Sequence, residues 1–268
     1  MTKRTGLAGV WINPFFVYYC IQSYATVFRF RRGCETVAGM SSDAPVLTID
    51  RDNVSLGEAV FRALCRALEH GVYRSGDRLR EDEVAQKLNV SRTPVREAFG
   101  KLVAKGWVQP AGGRGLIVRS LDQSDILELY AMREILEGAA ARLAAQYAAP
   151  AEIAALRDIH ARFASGEGGA AGLARLNRLL HGAIHRAARN RYLDAALEDM
   201  HVATALLGTT TFAADGRPVT AAAEHGALID AIAARDSDRA EAIARAHIRE
   251  ALQTRLHMTL TEAAKARS

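Results

Sequence analysis

Three histidines and one asparagine in the second half of the chain have the types and spacing to bind a metal ion. Asn177 and His181 are four residues apart in one predicted helix, so their side chains project from the same face. His225 and His247 lie among apolar residues of two later predicted helices. Imidazole nitrogens and a side-chain oxygen suit a divalent transition metal (zinc, nickel or manganese) and leave coordination positions open to a ligand. The alternative is that each histidine is an ordinary core residue with its own hydrogen-bond partner.

A second group of polar side chains could contact nucleic acid. Four arginine and hydroxyl residues begin another predicted helix: Ser91, Arg92, Thr93 and Arg96. The forked guanidinium groups of Arg92 and Arg96 lie on one helix face and match either guanine O6 and N7 or phosphate. Hydroxyls at a helix N-terminus can donate to phosphate beside the free backbone N–H groups. The alternative is a solvated face on which these arginines pair with Glu97 or Asp82.

The predicted elements around these arginines form a helix-turn-helix. Apolar residues at helical spacing predict a first helix that Ser55 caps. A short helix over 81–88 is followed, after a tight connector, by a second helix over 92–105. Pro94 is compatible with this helix because it lies in the first turn, where its missing N–H has no partner to lose. In this geometry the N-terminal end of the second helix enters a DNA major groove.

A predicted hairpin follows the second helix. Residues 107–108 and 116–118 have strand character, and they flank a glycine-rich segment that carries Arg114 at its tip. Such a wing can lie on the DNA backbone or in the minor groove. We also predict a phosphate contact from Arg80, which directly precedes the short helix.

The stretch GDRLREDEVAQKLNVSRTPVREAF resembles the winged helix-turn-helix of the GntR family of bacterial transcription regulators. The resemblance covers residues 55–119, and its most specific part is SRTPVREA at 91–98. It implies that three side chains and a wing glycine contact operator DNA: Arg92, Thr93, Arg96 and Gly113.

The pattern of residues 120–268 predicts helices throughout. Two of its segments, LYAMREILEGAAARLAA and NRLLHGAIHRAARNRYL, resemble the all-helical FCD ligand-binding domain of the FadR subfamily. That resemblance implies a metal bound through an Asp-x3-His pair and two later histidines, with a carboxylate effector on or near it. His181, His225 and His247 match the three histidine positions. Asn177 stands where aspartate is usual, and its neutral amide oxygen is a poorer ligand.

Arg133 matches a recurrent arginine of the same domain. One interpretation is that it clamps an effector carboxylate together with Asn177, and the other is an i, i+4 pair with Glu137. His185 lies one turn beyond His181 and could be a further ligand, but we expect it to be exposed.

Charge is distributed unevenly along the 268 residues, whose formal net charge is +5. The net charge is +4 in the first forty residues, +3 in the next eighty and −2 in the remainder. We therefore expect any polyanion to bind the N-terminal part of the chain. An apolar run over 6–28 is long enough for a membrane anchor, but Asn13, Pro14 and other polar residues interrupt it. We therefore expect three segments: 1–40, a non-native or disordered extension; 41–119, the DNA-binding domain; and 120–268, the effector-binding and dimerisation domain.

The sequence thus predicts a mainly α protein, with an N-terminal winged helix-turn-helix followed by an all-helical, FCD-like bundle. The predicted function is a ligand-responsive transcription regulator, more specifically a repressor, that binds double-stranded operator DNA as a homodimer in the cytoplasm without membrane contact. The alternative is a metal-dependent hydrolase that uses the three histidines. We expect no enzyme, because the sequence places no glutamate as a general base beside the histidines, as an HExxH motif would.

Overall fold

The computed structural model describes residues 47–50, 54–112 and 115–265, without the side chains of residues 262, 263 and 265. The expectations for residues 1–40, including the apolar run over 6–28, lie outside these ranges. Within the described ranges, no helix combines the length and apolar character that crossing a bilayer requires.

The first group of elements combines three helices with a small sheet: α1 (Leu56–Glu69), β1 (Arg78–Leu79), α2 (Glu81–Leu88), α3 (Arg92–Ala104), β2 (Val108–Pro110) and β3 (Leu116–Val118). The strands pair antiparallel in the order β1-β3-β2, with Leu79 opposite Leu116 and Val108 opposite Val118. The predicted hairpin is therefore present. β1 is an additional strand that the sequence pattern did not indicate.

Local sequence explains how the helices of this group begin and end. The Ser55 hydroxyl accepts a hydrogen bond from the backbone N–H of Glu58 and caps α1, whose Val60 and Leu64 are fully buried. Asn89 ends α2 in the left-handed region, with a φ of 51°, a conformation that asparagine tolerates better than most residues. This single residue turns the chain from α2 toward α3.

The second group of elements is helical throughout the described residues: α4 (Gln123–Tyr147), α5 (Pro150–Ala164), α6 (Gly169–Ala187), α7 (Arg191–Ala205), a 3-10 turn (Thr211–Ala213), α8 (Arg217–Ala233) and α9 (Ser237–Lys265). Asp122 and Asp125 form a capping box at the start of α4, and Pro150 occupies the first turn of α5. The predicted fold class, a winged helix-turn-helix followed by a helical bundle, is confirmed.

α4 is the central helix of this bundle. It packs most extensively against α9 and also contacts α6, α7 and α8. Small residues on α4, such as Ala141 and Ala144, allow close approach to Leu180 of α6 and Ile232 of α8. Polar side chains on the buried face of α4 can therefore reach side chains from several neighbouring helices.

α7 connects the two groups of elements, which lie within one compact unit of residues 45–268. Val202 of α7 and Leu206, directly after α7, belong to the same buried apolar cluster as Leu64 of α1 and Trp107, which precedes β2. Lys105, directly after α3, forms an ion pair with Asp199 of α7. The bundle thus contacts the helix-turn-helix through one helix that also belongs to the bundle's interior.

Candidate functional site

Four residues at the start of α3 form an exposed surface, which we call the recognition surface: Ser91, Arg92, Thr93 and Arg96. Ser91 is the N-cap residue, yet its side chain makes no capping hydrogen bond. Its hydroxyl and the first N–H groups of α3 therefore remain available to a phosphate oxygen.

Both arginines of the recognition surface are paired with acidic residues of α2. Arg96 donates to the two carboxylate oxygens of Glu81 over 3.2 and 2.9 Å. Arg92 lies 3.4 Å from Asp82. The expected pairing with Asp82 is thus present for Arg92, whereas the partner of Arg96 is Glu81 and not Glu97. Because the arginine side chains of both pairs are largely exposed to solvent, the pairs are weak and can be exchanged for a phosphate contact.

Arg80 and the wing complete the predicted DNA contacts. Arg80 is exposed and lies 3.6 Å from Glu83 one turn along α2. The predicted strands of the wing are present as β2 and β3. Gly113 and Arg114, the predicted wing contacts, lie outside the described residues.

We call three histidines and the predicted ligand Asn177, which lies one turn before His181 on α6, the histidine site: Asn177, His181, His225 and His247. The three imidazoles come from α6, α8 and α9, and they are almost completely buried, at 3, 0 and 4% exposure. One ring nitrogen from each lies within 4.8 Å of the others. The structure therefore brings together three histidines that are 66 residues apart at their extremes in the sequence.

Several buried atoms of the histidine site lack hydrogen-bond partners among the described residues. They are Asn177 Oδ1, His181 Nε2 and both ring nitrogens of His225. Leaving a buried polar atom unpaired costs about 1–3 kcal/mol, so a cluster of such atoms needs an explanation. Three imidazole nitrogens and one amide oxygen are donors of the kind that bind a divalent transition metal, which would pair with Asn177 Oδ1, His181 Nε2 and one of the two His225 nitrogens.

Two glutamates, the buried Glu137 and the partly buried Glu224, hold the Nδ1 side of two of the imidazoles. The Nδ1 atom of His181 lies 2.8 Å from Glu137 Oε2, and that of His247 lies 2.6 Å from Glu224 Oε2. Since a carboxylate only accepts, each Nδ1 carries the proton, and each Nε2 presents a lone pair. A carboxylate that accepts from the far nitrogen of a histidine is the usual outer shell of a metal site. Glu137 and Glu224 thus contact the histidines as hydrogen-bond acceptors, although the sequence places no glutamate as a general base in the manner of an HExxH motif.

Electrostatics favours the neutral forms of His225 and His247 and the ionised form of Glu137. Burial, followed by the repulsion of neighbouring histidines, holds the pKa of His225 and of His247 well below the usual range. Burial raises the pKa of Glu137, but the opposing effects of His181 and His185 bring it well below its usual range. Neutral imidazole is the form that can ligate a metal.

Glu137 is also the centre of a second histidine group. His185 is 2% exposed and its Nε2 lies 2.9 Å from Glu137 Oε2, so the expectation that His185 is exposed is wrong. His201 Nε2 is 3.8 Å from the other carboxylate oxygen, Oε1. Arg133 is buried and donates to that oxygen over 3.4 Å, which is the i, i+4 pairing with Glu137.

Comparison with known protein families gives two matches. Residues 56–118 match the bacterial regulatory proteins of the gntR family, and residues 128–250 match the FCD domain. The first range contains the recognition surface and the second contains the histidine site.

Curated relatives agree with these matches. The chain is 43% identical over 86 residues to the Nta operon transcriptional regulator of Aminobacter aminovorans, but this alignment spans only 32% of the chain and 41% of that relative. It is 36% identical to an HTH-type regulator from the ttuE-ttuC' intergenic region of Agrobacterium vitis, over 42% of the chain and 70% of the relative. It is 33% identical to a protein of Paenarthrobacter nicotinovorans named as a D-xylose utilization operon transcriptional repressor, over 68% of the chain and 80% of the relative.

Solved structures share the fold. E. coli McbR/YncC superposes with a TM-score of 0.69 at 22% identity, covering 77% of the chain and 99% of that structure. A GntR-type protein from Rhodococcus sp. RHA1 superposes with a TM-score of 0.62 at 24% identity, covering 76% and 99%.

Proposed function

The chain belongs to the GntR family of bacterial regulatory proteins and carries an FCD domain, and on this premise we propose that it is a repressor controlled by a small carboxylate effector. Its family makes it a transcription regulator, and its architecture fits the FadR-like subfamily. The alternative of a metal-dependent hydrolase is not supported, because the relatives named above are regulators. We assign residues 41–119 to DNA binding and residues 120–268 to effector binding and dimerisation, in the bacterial cytoplasm.

The DNA-binding half of the proposal rests on the recognition surface. Its arginines would exchange Glu81 and Asp82 for phosphate or guanine when α3 enters the major groove of operator DNA. Ser91 and Thr93 would donate to phosphate at the N-terminus of α3. Arg80, Gly113 and Arg114 would add contacts to the backbone and minor groove.

Two substitutions with opposite expected effects on DNA affinity test the assignment of the recognition surface. Arg96→Ala should abolish binding to a duplex selected from a random library by the wild-type protein, because it removes a groove contact. Glu81→Gln should strengthen binding, because it removes the carboxylate that competes with DNA for Arg96 and also one negative charge. The measurement is fluorescence anisotropy at one fixed salt concentration, since affinity for DNA falls steeply with salt.

Arg157→Ala, which removes an exposed arginine of α5, is the control and should bind like wild type. Undiminished binding by Arg96→Ala, with the fold intact by circular dichroism, would contradict the assignment of α3 as the recognition helix.

Metal and effector binding are inferred from one observation, the buried polar atoms of the histidine site that lack hydrogen-bond partners among the described residues. His181, His225 and His247 would hold a divalent metal through nitrogen, and Asn177 would hold it through Oδ1. A bound cation would supply positive charge and an open position to which an effector carboxylate can ligate. Arg133 has a buried Nε without a partner among the described residues, and this donor would bind the effector beside Asn177.

A further inference from the structure

α7 contacts the histidine group on one side and the DNA-binding elements on the other. His201 faces Glu137 across 3.8 Å, and its ring lies 5.2 Å from that of His185. The next residue, Val202, belongs to the buried cluster that α7 shares with α1. Asp199, two residues before His201, pairs with Lys105 after α3. One turn of α7 therefore reaches from the interior of the bundle to the helix-turn-helix.

The contact between His201 and Glu137 is longer than a hydrogen bond. A separation of 3.8 Å exceeds a nitrogen–oxygen hydrogen bond, which needs about 2.7–3.2 Å. The carboxylate of Glu137 is already held by His181 and His185 through Oε2 and by Arg133 through Oε1. A shift of less than about 1 Å in Glu137 or in α7 would make a hydrogen bond to His201 or remove the contact.

We propose that His201 couples occupancy of the histidine site to the placement of the DNA-binding elements, an inference that rests on the metal binding proposed above. When His181 Nε2 donates its lone pair to a cation, the Nδ1–H of His181 becomes a stronger donor to Glu137. The carboxylate then moves toward His181 and changes its contact with His201. α7 carries this change to Asp199, and from there to Lys105.

Trp107 lies at the receiving end of this path. It is 5% exposed, it stacks on Phe61 at 6.2 Å, and the ammonium group of Lys105 lies 5.9 Å from its ring centre. The chain has two tryptophans, Trp11 and Trp107. In a Trp11→Phe background, tryptophan emission therefore reports on Trp107 and on any movement of Lys105 against its ring.

The test is a zinc titration of the full chain in this background, with zinc alone as the probe because it does not quench tryptophan. We expect zinc to change the emission of Trp107. His201→Phe, which keeps a ring but removes the polar contact, should lose most of this change. Its zinc affinity should stay within about tenfold of the parent, the lower end of an outer-shell effect. His201→Gln, which restores a donor, should recover part of the change.

His257→Phe is the matched control, because His257 is an exposed histidine of α9, and it should keep the whole response. Asp199→Asn provides a second route, since it weakens the exposed ion pair to Lys105 without altering the interior and should also reduce the emission change. An unaltered response in both His201→Phe and Asp199→Asn would overturn the proposed path. Zinc binding that leaves the emission of the parent unchanged would overturn the coupling but not the metal site. Failure to bind zinc would overturn both.

Discussion

His225 is fully buried, and neither of its ring nitrogens has a hydrogen-bond partner among the described residues. Its ring lies 4.8 Å from those of both Phe163 and His247, and neither contact gives its nitrogens a hydrogen bond. Such a residue destabilises the metal-free protein, because its two nitrogens lose their hydrogen bonds to water on folding and make no others. A histidine at this position is explained if the lone pair of one of its nitrogens binds a metal ion.

This cost predicts a pH dependence of stability. The pKa of His225 is well below 6.5 in the folded protein, whereas in the unfolded chain it has its usual value near 6.5. The unfolded state therefore binds more protons as the pH falls below about 6.5, and the free energy of unfolding decreases by up to about 1.4 kcal/mol per pH unit for this group. The Tm of the chelator-treated protein should fall between about pH 7.5 and about pH 5.5.

His225→Leu should have a higher Tm than wild type under these conditions and a weaker pH dependence, measured by differential scanning calorimetry. Burial raises the pKa of Glu224, which opposes this trend, but that group is present in both proteins and leaves their difference unaffected. Parallel curves for the two proteins would contradict a neutral, unsatisfied His225.

The four residues of the histidine site could be selected from sequence, because helical spacing and apolar neighbours indicate an inward side chain. His185 could have been found by the same rule, since it lies four residues after His181 and so shares its face. Glu137 could not, because its spacing also fits a surface pair with Arg133. Its role depends on which face of α4 turns toward α6, and only tertiary packing decides that.

At the scale of elements, α4 presents an apolar face that the described residues leave exposed. Met132 and Ile135 are 46 and 53% exposed, next to the half-buried Leu136. In the proposed homodimer on a two-fold symmetric operator, the same face of both chains would meet. We expect this stripe of α4 to supply that face.

Ile135→Asp should therefore weaken dimerisation, because it would bury a carboxylate without a partner. Sedimentation velocity should show wild type at about twice the 29.0 kDa of one chain and the variant shifted toward the monomer. Val219→Asp, which alters a 77% exposed apolar residue of α8, is the control and should remain dimeric. If Ile135→Asp stays dimeric as well, α4 does not form the interface.

The helices could be predicted from sequence to within a few residues, because proline and glycine mark their ends. Pro150 begins α5, and Gly166 and Gly168, both with positive φ, separate α5 from α6. β1 could not be predicted: two residues carry no alternation, and it exists only because Arg78 and Leu79 pair with β3 nearly forty residues later.

In the whole molecule, the recognition surface and the histidine site lie in different groups of elements. The recognition surface lies on the basic half of the chain, where it can meet a polyanion, and the histidine site lies in the helical bundle. α7 contacts both groups of elements. A coupling of about 1–3 kcal/mol between two such sites is enough to change DNA occupancy by more than about fivefold.

The proposed effector response depends on metal binding by the histidine site. The metal content of the purified protein measures this binding most directly. Untagged wild-type protein, purified without chelator, would be analysed by inductively coupled plasma mass spectrometry beside His247→Ala and His257→Ala. We predict about one equivalent of a divalent transition metal in wild type and in His257→Ala, and its loss in His247→Ala. A wild-type protein without metal, or one whose metal is retained in His247→Ala, would contradict the account.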